Sequence, residues 1–309
     1  MADRYGLFLG GVSGSGSPRV FQKMWFQGET LFKAPLERGR FGIHTTSLGI
    51  AAGDTGIFVD SGSGITDVAE FLKLLEVPSV YGLQTHEHKD HIDTLHRNPF
   101  LGQSAGMLKE YFWPRLLGQS ADTFQRSFMD WPVGPVETKR PKIFMPESLL
   151  DLGAVKVATY LQNHGFDVVR KSPGFSLGFR VETARGTIVV ATDHEIGQDP
   201  TYREKCAAFF SGAKILYHDL QYRAREYDGT VGICGGTPMP RKGWGHSTPE
   251  MLHEVVRLCK EPIGTLILGH HDPERHTGDL EKFEGEVQKL FTPLCAKVQF
   301  GREGKYYSL

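Results

Sequence analysis

His86-Glu87-His88-Lys89-Asp90-His91 follows an apolar run, Ser79 to Thr85 (SVYGLQT). In an extended chain residues two apart point to the same side, so His86 and His88 present their rings together. If the chain then turns into a helix, Asp90 and His91 swing to an adjacent position. The spacing H-x-H-x-D-H therefore predicts two neighbouring metal positions. Zinc takes about four ligands, so two ions need donors from elsewhere in the chain. They stand directly after apolar runs: His164 in LQNHG, Asp193 in ATDHE and His270 in LGHHDP. His271 competes with His270. Alternation puts Leu266, Leu268 and His270 on one strand face, and Ile267, Gly269 and His271 on the other. His44, His96, His194, His253 and His276 are expected to be bystanders.

Outward from this stretch the pattern alternates strands and helices. Strands are expected at 5–11, 43–51, 56–60, 79–85, 142–145 and 154–161. A hairpin, FSLGFRVET and GTIVVAT, turns at Ala184-Arg185-Gly186. Further strands are expected at 214–218 and 264–269, with a terminal hairpin at 297–308. Helices are expected at 66–77, from Asp199-Pro200 to about 210, at 248–260 and at 278–291. Residues 94–141 carry Phe100, Tyr111, Phe112, Trp113, Phe124, Phe128 and Trp131 and are broken by Pro99, Pro114, Pro132 and Pro135, which suggests an insertion of short helices. With no repeat and no linker, the chain reads as one α/β domain over 1–309, sheets inside and helices outside.

Composition narrows the function. In 309 residues, 35 Lys plus Arg against 36 Asp plus Glu leave a net charge of -1, which excludes a polybasic nucleic-acid binder. The apolar run near the start is too short for a signal-peptide core, and no window is long enough to span a membrane. The four cysteines form no C-x-x-C pair. A cytoplasmic protein with no membrane partner is expected. The Gly-rich run GGVSGSGSP lacks the Lys-Ser/Thr of a phosphate-binding P-loop.

The chain resembles the metallo-β-lactamase superfamily along essentially its full length, through FLGGVSGSGSP, FVDSGSG, THEHKDHID, LQNHG, VVATDHE and LGHHDP. It looks most like the phosphodiesterase branch, which contains tRNA 3′-processing endonucleases and cyclic-phosphodiesterase-like enzymes. That branch has a His-Ser-Thr loop, here His246-Ser247-Thr248, and a His-Glu-Ala-Thr loop, here His218-Asp219-Leu220-Gln221 with Asp in place of Glu. The resemblance implies an αββα sandwich of two mixed sheets flanked by helices. It implies one ion on His86, His88 and His164, and a second on Asp90, His91 and His270, with Asp193 bridging. Dimers are common among such proteins.

The expected function is a binuclear metal-dependent hydrolase of small anionic phosphodiesters, cyclic nucleotides among them, acting through a metal-bridging hydroxide. The expected ions are zinc, with manganese or iron as substitutes. His246 is the expected general acid for the leaving oxygen, and Asp219 is expected to keep it protonated. Asp90 is a second catalytic candidate, accepting a proton from the attacking water. Ser247 and Thr248 read as helix caps, and Trp244 as a wall residue packed into the structure. The nearest alternative is a tRNA 3′-processing endoribonuclease. Against it, no P-x-K-x-R-N motif or long basic arm is present and Lys89 replaces the usual Gly. Thioester or lactone hydrolysis and a non-catalytic metal-binding module are further alternatives.

Overall fold

The computed structural model describes residues 4–14, 41–102, 106–114, 142–167 and 172–309. Among these residues two seven-stranded sheets face each other. The first contains β1 (Tyr5–Gly11), β2 (Ser47–Ala52), β3 (Thr55–Val59), β4 (Ser79–Leu83), β5 (Leu108–Pro114) and β6 (Lys142–Phe144) in that spatial order. The second runs from β7 (Leu149–Asp151) through β8 (Lys156–Asp167), β9 (Ser172–Thr183), β10 (Gly186–Ala191), β11 (Ile215–Asp219) and β12 (Ile263–Gly269) to β13 (Cys295–Phe300). β14 (Lys305–Ser308) returns to the first sheet and pairs antiparallel with β1.

Both sheets are mixed. In the first, β1, β2 and β3 pair antiparallel and β3 to β6 pair parallel. In the second, β7 to β10 pair antiparallel and β10 to β13 pair parallel. The parallel connections need crossovers, and the longer helices supply several of them. The α-helices among the described residues are α1 (Ile65–Leu74), α2 (Lys89–Ile92), α3 (Pro200–Phe210), α4 (Ala224–Tyr227), α5 (Pro249–Leu258) and α6 (Thr277–Phe291).

Burial follows the strand period. Ile188 and Val190 of β10 face the space between the sheets, where they meet Leu7, Ile50, Val157 and Phe179. Val189 and Ala191 point the other way, into a layer with Phe210, Leu252, Val255 and Phe283 from the outer helices. On the far side, α1 buries Ile65, Val68, Ala69 and Leu72, one apolar stripe, together with Phe8, Phe58 and Val80. Each fully buried aliphatic side chain contributes about 1.5–3 kcal/mol, so three continuous apolar layers hold the four-layer stack. Asp199 and Thr248 cap α3 and α5, with Pro200 and Pro249 at the first helical turn.

Two expectations fail. Residues 297–308 form no hairpin: β13 and β14 belong to different sheets. Two apolar strands joined by Gly301 to Gly304 look like a hairpin locally, but each strand buries its face in a different layer. Residues 108–114 form a strand rather than a helix of an insertion. Tyr111 and Trp113 pack on the α1 side and Phe112 packs between the sheets. Phe100 stacks on Phe58 with centroids 5.1 Å apart. The positions expected at 124, 128 and 131 lie outside the described residues, as does the Gly-rich run beyond 14. Among the described residues no helix is long and apolar enough to cross a membrane.

Candidate metal centre

The site forms where strand ends of the two sheets meet. His86 and His88 follow β4, and His88 is the residue preceding α2, which carries Asp90 and His91. The second sheet contributes His164, Asp193 and His270. His164 was expected just past a strand ending at 161, but β8 runs on to 167 with its register broken between Asn163 and Phe166. Such a bulge re-aims a side chain, and here it turns His164 towards the first sheet. Asp193 and His270 follow β10 and β12 directly.

The donors fall into two groups, His86, His88, His164 and Asp193, and Asp90, His91, Asp193 and His270. In each group one donor atom per residue lies within 4.8 Å of all the others, and Asp193 belongs to both. Asp193 Oδ1 is 3.0 Å from His91 Nε2 and 3.2 Å from His270 Nε2. Its Oδ2 is 3.6 Å from Nε2 of both His86 and His164. A cation fits both groups, because the buried Nε2 atoms of His86 and His91 face the cluster with no hydrogen-bond partner. His88 is the exposed member, so among the described residues the site opens on its side.

Supporting groups set the tautomers. His91 Nδ1 donates to Asp60 Oδ2 at 2.6 Å, which leaves Nε2 for a metal. Asp60 also accepts from Thr85 N, Thr85 Oγ1 and Gln84 Nε2, each at 2.8 Å. His164 Nδ1 lies 3.1 Å from the carbonyl oxygen of Gly245; a carbonyl only accepts, so Nδ1 carries the proton. Trp113 Nε1 donates to Glu87 between His86 and His88.

Asp60, Asp193 and His270 all have left-handed backbones, with φ of 63°, 55° and 56°. For His270 such a conformation costs about 1–3 kcal/mol and is sustained by its surroundings. It also ends strand alternation, so the facing pattern of β12 does not extend to 270. His270 enters the cluster, whereas His271 lies against Phe300, with centroids 4.9 Å apart.

Charge sorts the donors. Burial pushes His164 down to about 3 and His86 well below the usual imidazole range. Burial alone would raise Asp193, but His270 and His91 outweigh it and hold its carboxyl well below the usual range. Burial likewise opposes ionisation of Asp90, yet His91 and His270 hold it at about 2. Burial opposes protonation of His91 and His270 too, but Asp193 with Asp60 and Asp90 holds His91 well above the usual imidazole range, and Asp193 with Asp90 raises His270 to about 8, so a cation in that group would take the place of their protons. Two carboxylates and five imidazoles are a donor set for divalent ions.

His246 stands beside this centre, its ring 4.7 Å from that of His270, and Asp219 Oδ2 lies 3.0 Å from His246 Nδ1. The expectation that Asp219 keeps His246 protonated is corrected by their charges. Burial and then His270 push the imidazole down to about 3, while burial pushes Asp219 up to about 7. The proton the pair holds below neutral pH therefore rests on the carboxyl. His194 is outside the donor groups but joins His218 at 3.1 Å and Tyr202 at 2.8 Å. Thr248 caps α5, whereas Ser247 does not: its hydroxyl donates to His194 O at 2.6 Å and accepts from Ile196 N at 3.0 Å. Trp244 is 52% exposed rather than packed into a wall.

No family model matches the chain, and no curated protein matches it in sequence. Solved structures do. The metallo-β-lactamase fold protein YhfI from Bacillus subtilis superposes with a TM-score of 0.65 at 16% identity, covering 99% of both chains. The chain has the metallo-β-lactamase fold. Unliganded yeast PDE1 shares this fold with a TM-score of 0.64 at 14% identity, covering 99% of this chain and 100% of that one. Human tRNase Z, short form, follows with 0.58 at 16% identity and 98% of each chain covered. The two mixed sheets and flanking helices described above are this fold.

Asp60, Gln84, Thr85 and Glu195 were not singled out by sequence reasoning. Asp60 had a signal, its place in Phe58-Val59-Asp60-Ser61-Gly62 at the end of a strand facing the H-x-H-x-D-H run. Glu195, two residues after Asp193, had none.

Proposed function

We propose that the protein is a binuclear metal-dependent hydrolase that cleaves a small phosphodiester, cyclic nucleotides among them. The observation that carries the reading is one hydrogen-bonded acid pair, His246–Asp219, set against two donor groups that share Asp193. His86, His88, His164 and Asp193 would hold one ion, and Asp90, His91, His270 and Asp193 the other. Two divalent ions there supply Lewis-acid polarisation of a phosphoryl oxygen and acidify water near neutral pH. Nitrogen-rich donors favour zinc, and the carboxylates admit manganese or iron.

The chain's own residues do the rest. Two carboxylates only partly offset two divalent charges, so the pocket attracts an anionic phosphodiester. Asp90, on the metal rim, accepts a proton from the attacking water. With Asp219 protonated, its O–H donates to His246 Nδ1, and His246 Nε2–H is free to face the leaving oxygen. As Nε2 gives up its proton, Nδ1 takes the one from Asp219, so the pair delivers one proton without a buried imidazolium.

Yeast PDE1 and human tRNase Z share the fold, and the net charge of -1 favours the small substrate over a long polyanion. The test is turnover of the zinc-loaded protein on bis-aryl phosphodiester, aryl phosphomonoester, cyclic nucleotides, precursor tRNA and a lactam. Metal-dependent hydrolysis of small diesters is expected. Efficient 3′ cleavage of precursor tRNA without activity on any small diester would replace this reading with the endoribonuclease.

A further inference from the structure

We infer that Glu195 is a positioning residue that sets His164 and His246 together; the part concerning His246 rests on the function proposed above. Glu195 is nearly fully buried. Its carboxylate accepts from the backbone N–H of Gly243 and of Gly245, both at 2.8 Å, and from the Tyr227 hydroxyl at 2.5 Å. Each of these donors lies on the segment between β11 and α5, and His246 is the residue after Gly245. The carboxylate therefore fastens the loop that delivers His246.

The same residue grips His164 from its other side. Glu195 N donates to Asn163 O at 2.8 Å, and Asn163 Nδ2 donates to Glu195 O at 3.0 Å. Asn163 is at the bulge that aims His164 into the cluster. Behind His164, the carbonyl of Gly245 receives its Nδ1 proton, and Gly245 itself is held by Glu195 Oε2. The contact is close: a Cβ at Gly245 would lie 2.0 Å from His164 Nδ1, and the backbone there has φ of 91°, a conformation suited to glycine. Glu195 thus fixes the bulge through its backbone and the glycine loop through its side chain, with the His164 ring between them.

The consequence is a coupling. Moving the Gly243–Gly245 loop withdraws the acceptor from His164 Nδ1, which frees the proton to sit on Nε2, the nitrogen aimed at the cluster. It also shifts His246, one residue on. Metal affinity and leaving-group protonation should therefore fail together when the carboxylate is altered. A residue that only stabilises the fold would lower the melting temperature and leave both readouts as they were.

The test uses the full chain and zinc, with Glu195→Gln, Glu195→Ala and Tyr227→Phe. Glu195→Gln presents an NH2 group to one of the two backbone N–H groups, so donor meets donor with little change in volume. Chelator competition measures the zinc steps without any substrate. Bis-aryl phosphodiesters of graded leaving-group pKa measure the dependence on protonation. For Glu195→Gln we expect one zinc step weakened about 10–100-fold. We also expect kcat to fall more for poor leaving groups than for good ones, with little change in KM. Tyr227→Phe leaves both loop N–H groups capped and should shift both readouts by less than Glu195→Gln. If Glu195→Ala does not fold, Glu195→Gln carries the test. Unchanged zinc binding and unchanged leaving-group dependence in folded Glu195→Gln would overturn the inference, whatever its melting temperature. If the wild-type protein cleaves no phosphodiester, the proposed function fails, but the zinc titration still decides whether Glu195 positions His164.

Discussion

Asp60→Asn isolates what a buried carboxylate does for a histidine ligand. The replacement has nearly the same volume, and Asn tolerates the left-handed backbone that Asp60 adopts at φ of 63°. The amide oxygen can still accept from Thr85 N and Gln84 Nε2, which now both bond to Oδ1 at 2.8 Å. The amide nitrogen then takes the place of Oδ2 and meets the Nδ1 proton of His91, formerly 2.6 Å from an acceptor. To escape the clash His91 moves its proton to Nε2, which blocks the nitrogen facing Asp193. One charge-assisted hydrogen bond is worth about 1.5–3 kcal/mol, or roughly 10–100-fold in affinity. Stepwise zinc titration of the metal-free protein against a chromogenic chelator would measure it. The loss should fall mainly on the step that uses Asp90, His91 and His270. The other step should change less, because Asp60 reaches it indirectly, through Thr85 Oγ1, 3.0 Å from His86 Nδ1, and through Gln84 Nε2, which also donates to His86 O at 2.7 Å. Equal weakening of both steps, or none, would refute the reasoning.

His246→Ala should reduce turnover while both zinc ions remain bound, with the smallest loss on substrates whose leaving groups need no proton; metal analysis beside kinetics on graded aryl diesters checks it, and loss of metal would make His246 a ligand. The pH profile for a poor leaving group should stay high below about 7 and fall above it. The pair must hold its proton, and Asp219 releases it at about 7. A good leaving group should lack that descending limb. Metal-free protein should lose stability as pH falls from about 6.5 towards 3. His164 and His246 stay neutral in the fold down to about 3 but protonate near 6.5 in the unfolded chain, which then binds more protons. Thermal melts of the chelated protein across that range would show it, and a flat profile would contradict it.

The donor set was readable because metal chemistry forces particular residue types into particular spacings. His86, His88, Asp90 and His91 sit within six consecutive positions, and His164, Asp193 and His270 each follow an apolar run. The choice between His270 and His271 was not readable from strand period, since it depends on a left-handed residue that breaks that period. Ser247 looked like a cap because capping is a local pattern, yet its hydroxyl bonds to a loop distant in sequence. Trp244 looked like wall because Trp is usually buried, and one side chain cannot report which layer ends beside it. The 108–114 strand was hidden by aromatic and proline content that suits either a short helix or a strand buried on both faces. Glu195 was invisible for a plainer reason: two of its carboxylate's three partners are backbone N–H groups, which carry no residue signature, and the third, Tyr227, is distant in sequence.

β14 gives the molecule a long-range closure with a consequence for synthesis. Residues 6–9 find these antiparallel partners only at 305–308, after every other described strand has been made. At about 5–20 residues per second, β1 waits roughly 15–60 s on a ribosome with one side unpaired. An unpaired strand side is a template for misassociation with a neighbouring chain. A deletion of residues 305–309 would leave the finished protein with the same open side that the nascent chain has. Such a truncation is therefore expected to aggregate even though every metal donor is still present.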